Sequence, residues 1–288
     1  MFPPTVVVGL HGTLELHAWF DRVVTREADA GTGPDAGADA GGSVAEEVLF
    51  LAVDRAGSYG WRTVGGLLHE DGEVTASHAP TAWAHQEVGG DWTQDGGVRE
   101  LAWLGAGVDT DPPRPGLPVR PIALVLSETL ARAGTVTFTG LHALLPLEDT
   151  ERDTAFHQIE LAPWFGLADP DLRFEVVVTV SCRPGEDGAG EHDAETLSEA
   201  VREKAQGALD VTAQRPPDGL PGLGLDLGRS VYTDGMREAV RFGCTTREWS
   251  PDIAVWLVEM TAEALREAGR PTPVVVTASL AAPPPAKP

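Results

Sequence analysis

The chain is poor in basic side chains. Among its 288 residues, 21 are lysine or arginine and 44 are aspartate or glutamate, which gives a formal net charge of −23. Nonspecific affinity for nucleic acid comes mostly from neutralising phosphates with lysine and arginine, and anionic lipid headgroups attract basic segments in the same way. We therefore expect no nucleic acid and no membrane surface as a partner.

Cysteines and long apolar runs are scarce as well. The two cysteines, Cys182 and Cys244, do not have the spacing of a metal site. No run approaches the roughly 18 apolar residues that a membrane-spanning helix needs. The first residues lack the basic stretch and the apolar core of a signal peptide. We therefore expect a cytoplasmic protein with free thiols.

Sequence motifs of the common catalytic classes are missing too. The chain has no G-x-S-x-G element, no P-loop and no G-x-G-x-x-G following a strand. The segment Gly222-Leu223-Gly224 lies in a proline-rich loop without a predicted helix behind it, so it lacks the context of a phosphate cradle. The sequence predicts no cofactor and no metal. Whether the protein is an enzyme stays open, and a non-catalytic role is preferred.

The clearest positive signal lies in the C-terminal third. Strand and helix patterns follow one another as a strand near 174–182, a helix near 193–209, a hairpin near 229–249, a helix near 251–268 and a strand near 274–280. This β-α-β-β-α-β order predicts a ferredoxin-like unit, in which two helices cover one face of an antiparallel sheet. Its other sheet face would be open.

Capping and turn residues support this order. Ser250 is a typical N-cap residue, Pro251 suits the first helical position, and Asp252 complements the helix dipole. Between the two helices, Asp234-Gly235 is typical of a hairpin turn. These signals predict where the last helix begins and where the central hairpin reverses.

The N-terminal part is predicted to be β-rich, with a turn at His11-Gly12. Strand patterns occur at 5–10, 14–20, 47–53 and 98–104, and a hairpin around Asp71-Gly72 is predicted over 67–74. A helix followed by a strand is predicted at 121–132 and 135–139. The proline-rich segment 109–118 is the best linker candidate. The sequence thus predicts an α+β protein without an evident internal repeat. Its parts would be a β-rich domain over 1–112, a connecting helix and strand segment over 113–170 and the ferredoxin-like domain over 171–288.

A row of arginines is the first candidate site. If the apolar residues of the strand near 237–247 face the helices, Arg237, Arg241 and Arg247 stand on the open sheet face. Val177 and Thr179 of the neighbouring strand would share that face. The first functional hypothesis is therefore a non-catalytic protein that binds a protein partner, or a second copy of itself, through this face. The alternative is that these arginines only pair with nearby carboxylates of the same chain.

A group of histidines is the second candidate site. Five residues are candidates for lining a small-molecule pocket between the two parts of the chain: His11, His17, His78, Trp83 and His85. Lone histidine pairs at arbitrary spacing are seldom metal ligands, so a pocket is preferred over a metal site here. The second functional hypothesis is a small-molecule enzyme or ligand-binding protein.

One element invites comparison with a known family. His11-Gly12-Thr13 resembles one of the two H-x-T elements of two-histidine phosphoesterases, in which one histidine acts as a general base and the other as a general acid. A second such element is required, but His142 is followed by Ala143 and Leu144. The sequence therefore does not support membership in that family.

Overall fold

The computed structural model describes residues 4–20, 44–58, 62–63, 83–108, 119–149, 167–183, 192–212, 223, 225, 233–269 and 273–281. The strands are β1 (Thr5–Leu16), β2 (Arg62–Thr63), β3 (Trp83–Gly89), β4 (Arg99–Val108), β5 (Gly134–Leu145), β6 (Phe174–Cys182), β7 (Asp210–Thr212), β8 (Arg237–Thr246) and β9 (Val274–Leu280). The helices are α1 (Val44–Ser58), α2 (Val119–Ala133), α3 (His192–Lys204) and α4 (Pro251–Glu267), and a short 3-10 turn spans Leu147–Asp149.

All these strands belong to one nine-stranded sheet with the order β2-β3-β4-β1-β5-β9-β6-β8-β7. The β2–β3 pair is parallel, and each of the other neighbouring pairs is antiparallel. The helices contact one another in the row α1-α2-α4-α3. They enclose with the sheet one large apolar core. The chain is thus a strand-rich mixture of helices and antiparallel sheet, and in its described part no helix is long and apolar enough to span a membrane.

Two halves of the sheet repeat the same strand order. Apart from the two-residue strand β2, which adds an extra edge strand beside β3, the elements of the N-terminal half run β1-α1-β3-β4-α2-β5 and the strands lie in the order β5-β1-β4-β3. In the C-terminal half the elements run β6-α3-β7-β8-α4-β9, and the strands lie in the order β9-β6-β8-β7. The last strands of the two halves, β5 and β9, pair with each other and join the halves. The chain therefore contains an internal repeat that was not evident from the sequence alone.

The repeat has a faint sequence trace in the third strand of each half. Residues 99–105 read Arg-Glu-Leu-Ala-Trp-Leu-Gly and residues 237–243 read Arg-Glu-Ala-Val-Arg-Phe-Gly. A β-bulge interrupts the pairing with the first strand at the same place in both, because Leu101 and Ala239 are each an extra residue. A shared bulge at a shared sequence position supports the repeat.

The last helix begins where its capping residues predict. The Ser250 hydroxyl accepts a hydrogen bond from the backbone N–H of Ile253 at 3.4 Å, and Pro251 occupies the first turn. Ile253 and Leu257 are fully buried against the sheet and the neighbouring helices. The prediction of a helix from residue 251 is confirmed.

Two predictions for the N-terminal half are wrong. Residues 47–53, which were expected to form a strand, lie in α1, where Leu49 and Ala52 are buried but Phe50 and Leu51 are exposed. A short run that is apolar on every side does not distinguish a strand from a helix. The turn expected at His11-Gly12 is absent, because β1 continues through both residues and bulges in β4 and β5 absorb the irregularity. The segment over 113–170 contains the helix α2 and the strand β5, and β5 lies in the middle of the sheet.

The two cysteines lie at opposite ends of the β6–β8 pair. Cys244 is opposite Val176, whereas Cys182 is opposite Arg237. Six residues of extended strand separate the two positions by about 20 Å, which is far beyond the reach of a disulfide. Burial raises the pKa of the Cys244 thiol to about 12, whereas Cys182 is only half-buried.

We expect Cys182 to react with a thiol reagent such as Ellman's reagent well before Cys244. The thiolate is the reactive form, and Cys244 is both buried and protonated in the folded chain. Absorbance at neutral pH should show one fast thiol in the native protein and two in denaturant. Cys182→Ser should abolish the fast reaction. Two equally fast thiols in the native protein would contradict this placement.

Candidate functional site

Three polar side chains converge on the sheet face opposite the helices. His11 lies on β1, Glu100 on β4 and His142 on β5, and β1 is the middle one of these three neighbouring strands. In register, His11 lies opposite Glu100, and His142 lies opposite Gly9. The residues that flank His142 in the strand, Leu141 and Ala143, belong to the main core. Because side chains alternate along a strand, His142 points to the other face.

The two imidazoles are hydrogen-bonded to each other. His11 Nε2 lies 2.8 Å from His142 Nδ1, and the ring planes are inclined by 62°. His142 Nε2 lies 3.6 Å from Glu100 Oε1. His11 and His142 are only 6% and 8% exposed, whereas the Glu100 side chain is 36% exposed. We refer to His11, Glu100 and His142 as the imidazole site; Glu100 is its solvent-facing member.

The carboxylate determines which nitrogens carry protons. At 3.6 Å the contact between Glu100 and His142 is longer than a hydrogen bond, but the negative charge still favours a proton on His142 Nε2. His142 Nδ1 is then an acceptor, and His11 Nε2–H donates to it. His11 Nδ1 then carries no proton. We infer this tautomer assignment from the hydrogen-bond pattern.

Both imidazoles are uncharged at neutral pH. Burial lowers the pKa of His142 to about 4. Burial also lowers the pKa of His11 well below its usual range, and the neighbouring His142 lowers it further. A buried charge without a full complement of partners is costly, so the neutral form is favoured. Neutral imidazoles can accept a proton, donate one or bind a metal ion.

A glycine makes room for this arrangement. A Cβ atom at Gly9 would lie 2.1 Å from His142 Cε1 and 2.9 Å from Glu100 Oε1. Real Cβ atoms do not approach other atoms as closely as the first of these distances, so the His142 ring occupies the space that any other residue at this position would need. The absence of a side chain at Gly9 is therefore required for the observed position of the His142 ring.

The C-terminal half shows what stands in the equivalent places. Each half has a glutamate in the third strand, just before the bulge, opposite a residue of the first strand. The first-strand residue two positions before the one opposite the glutamate pairs, in each half, with a residue of the last strand. By this register, the residues equivalent to His11, His142 and Glu100 are Ser181, Thr277 and Glu238. Both imidazoles are thus replaced by hydroxyl side chains in the second half.

The imidazole site lies next to the junction of the halves. His142 on β5 is opposite Thr277 on β9, which in turn is opposite Thr179 on β6. The Thr277 and Thr179 hydroxyls are hydrogen-bonded to each other. Arg241 is opposite Thr179 on the far side. A polar row therefore runs across the sheet face from the imidazole site into the C-terminal half.

One of the five residues predicted to line a pocket belongs to the imidazole site. That residue is His11; His17 follows β1 and stacks on Trp19, with the ring centres 6.4 Å apart. Trp83 and His85 lie in β3, two strands away from β1, and their side chains are outside the described part of the structure. His78 is outside the described residues altogether.

The structure does not bring the predicted arginines into one stripe. The bulge at Ala239 changes the alternation between Arg237 and Arg241, so these two arginines do not share a face of the sheet. Arg237 and Arg247 are both exposed, and Arg247 lies beyond the end of β8. There it lines a cavity of about 260 Å³ together with Arg173.

The sheet face expected to be open is covered at its centre by the chain itself. Val177 and Thr179 do lie on the face opposite the helices, but they are only 1% and 5% exposed. Leu225 packs on this face in a small second apolar cluster. The backbone N–H of Leu223 donates to the Ser279 hydroxyl at 3.0 Å. A partner could therefore not reach Val177 or Thr179 without displacing part of the chain.

Sequence reasoning missed Glu100 and underrated His142. In the sequence, His142 stands out only as the possible start of a second H-x-T element. In the structure it lies beside His11 because β5 pairs with β1. Glu100 was overlooked among many acidic residues. The available signal was a histidine in the middle of each of two apolar strands, which is an unusual place for a titratable side chain.

Comparison with known proteins adds no name to these observations. No protein-family model, no curated protein and no solved structure matches the chain.

We expect Gly9→Ala to destabilise the protein by about 1–3 kcal/mol, the usual cost of forcing extra atoms into a packed region, because the new Cβ collides with His142. Gly105→Ala on β4 is the matched control, since its Cβ would lie 3.7 Å from the nearest heavy atom. Urea denaturation followed by circular dichroism measures both. Equal stabilities for the two variants would contradict the position of the His142 ring.

We expect the stability of the metal-free protein to fall as the pH drops from 6.5 towards about 4, the range between the ordinary pKa of histidine and that of folded His142. In this range the unfolded chain binds a proton that the folded chain does not, so acid favours unfolding. At pH 5 the expected loss from His142 is about 2 kcal/mol. Urea denaturation in EDTA should show a steeper loss for the native chain than for His142→Gln. Parallel pH profiles would contradict the buried, neutral state.

Proposed function

We propose that the protein binds a small molecule at the imidazole site, either as an enzyme or as a ligand-binding protein. The observation that carries this proposal is the buried hydrogen bond between His11 and His142, with Glu100 beside it at the solvent-facing end. Groups able to accept, donate and relay protons thus converge at one place. Neutral imidazoles beside a carboxylate are common in the active sites of enzymes that use acid–base or metal-assisted catalysis.

The repeat supports a functional rather than a structural reason for the two histidines. In the C-terminal half, Ser181 and Thr277 occupy the equivalent positions in the same strand arrangement and are buried as well. The fold can therefore fill these positions with small hydroxyl side chains. Burying two imidazoles costs desolvation free energy and requires a glycine at position 9 to make room. A binding function would explain why the N-terminal half keeps them.

We also infer that each half is a ferredoxin-like unit. The order of elements and the order of strands, with the last strand beside the first and the second strand outermost of the four, support this assignment for both halves. A cytoplasmic location with free thiols remains part of the proposal.

The partner-binding function is a second candidate, now restricted to a smaller surface. Arg237 is exposed at one end of β8 in a chain whose net charge is −23, so an acidic partner or a second copy could bind at that end. Self-association would give a solution mass above the chain mass of 30.4 kDa in light scattering. Arg237→Glu should then restore the monomer mass, while Arg132→Glu, an exposed position on α2, should not. A native chain that is already monomeric would argue against self-association.

For the main proposal, we expect a panel of small metabolites to contain compounds that raise the melting temperature of the native chain but not that of His11→Gln. A ligand stabilises a protein only by binding its folded state, and His11 is needed for the site. His17→Gln, a histidine outside the site, is the matched control and should respond like the native chain. Differential scanning fluorimetry measures all three. The proposal fails if every stabilising compound acts equally on His11→Gln.

A further inference from the structure

The imidazole site has the ligand set of a transition-metal centre. One nitrogen of His11, one nitrogen of His142 and one oxygen of Glu100 all lie within 4.8 Å of one another. Ligand atoms of a tetrahedral ion with bonds of roughly 2.0–2.1 Å are about 3.3 Å apart. The 2.8 Å between His11 Nε2 and His142 Nδ1 therefore has to open by about half an ångström. This is within the reach of two side chains.

We propose that His11, His142 and Glu100 bind one divalent transition-metal ion, with Zn²⁺ as the representative ion. This inference rests on the proposed function, for which it names the cofactor. Imidazole nitrogen favours ions such as Zn²⁺, Fe²⁺, Ni²⁺ and Cu²⁺, whereas Mg²⁺ and Ca²⁺ prefer oxygen ligands throughout. Three protein ligands leave at least one coordination position for water or substrate, which is the arrangement of catalytic rather than structural zinc.

Binding requires little rearrangement of protons. In the tautomer that Glu100 favours, His142 Nδ1 already carries no proton, and its lone pair accepts the hydrogen bond from His11. His11 has only to move its proton from Nε2 to Nδ1, so the metal takes the place of the shared hydrogen atom and no proton need be released from the pair.

The position of Glu100 determines where the metal ion can enter, and its carboxylate lowers the net charge of the metal centre. The two imidazoles are buried, but the Glu100 side chain is 36% exposed, so the ion enters and the fourth ligand binds at that end. One carboxylate and two neutral imidazoles leave a divalent ion with a net charge of about +1. The centre would therefore favour anionic or strongly polar small molecules in a chain that is otherwise strongly acidic.

The test is a calorimetric titration of ZnCl2 into the full chain after EDTA treatment and dialysis, with excess MgCl2 to occupy surface carboxylates. We expect one Zn²⁺ per chain. His142→Gln and His11→Gln should weaken binding at least about 100-fold, the upper end of what losing even an outer-shell partner costs. His17→Gln should bind like the native chain. Absence of saturable one-to-one binding, or equal affinity of His142→Gln, would overturn the proposal.

Two further measurements keep the test decisive. If the histidine variants do not fold, Glu100→Gln removes a ligand at a partly exposed position, and it should still weaken Zn²⁺ binding at least about 10-fold. X-ray absorption of the zinc-loaded native chain should show two imidazole ligands; a shell of oxygen alone would overturn the proposal. Metabolites that stabilise the native chain in EDTA through His11 would preserve the proposed function even if Zn²⁺ failed to bind, so the two failures are distinguishable.

Discussion

The pairing of β5 with β9 is the interaction on which the rest of the architecture depends. Residues 140–145 run antiparallel to residues 274–279, and this contact joins two repeated halves into one nine-stranded sheet. On one face the pairing brings α2 against α4 and lets a single core extend through both halves. On the other face it fixes β5, the strand that carries His142, between β1 and β9. Fold and candidate site therefore depend on the same junction.

The two halves fill the same strand arrangement with different side chains. In the C-terminal half, hydroxyl side chains fill the centre of the face opposite the helices, and they hydrogen-bond to one another across β6 and β9. In the N-terminal half, two imidazoles and an accommodating glycine replace them. The C-terminal half shows that the fold can be built with small hydroxyl residues at these positions. The buried titratable groups of the N-terminal half are therefore not required by the fold. This contrast is the main physical reason for placing function at the imidazole site.

The sequence predicted those elements whose signals are local. The Ser250 cap and the amphipathic α4 can each be read within a few residues. Asp234-Gly235 does form a turn, but among the described residues the short strand that pairs with β8 is β7, which follows α3 directly and was not predicted. The α1 helix was mistaken for a strand because a short apolar run fits both. The site could be predicted only in part: His11 stood out beside a strand, but its partner lies 131 residues away in the chain. Which strands become neighbours, and where a bulge reverses the alternation, depends on long-range pairing that no local pattern encodes.

Two neutral histidines share one buried hydrogen bond across β1 and β5, and nitrogen-15 NMR of the histidine side chains can detect both the neutral state and the bond. The measurement is made on the metal-free protein at neutral pH. We expect His142 and His11 both to be uncharged, with their protons on Nε2, and a hydrogen-bond coupling to connect His11 Nε2 to His142 Nδ1. A charged imidazole in either residue, or two ring signals without any coupling and with the rapid solvent exchange of exposed histidines, would contradict it.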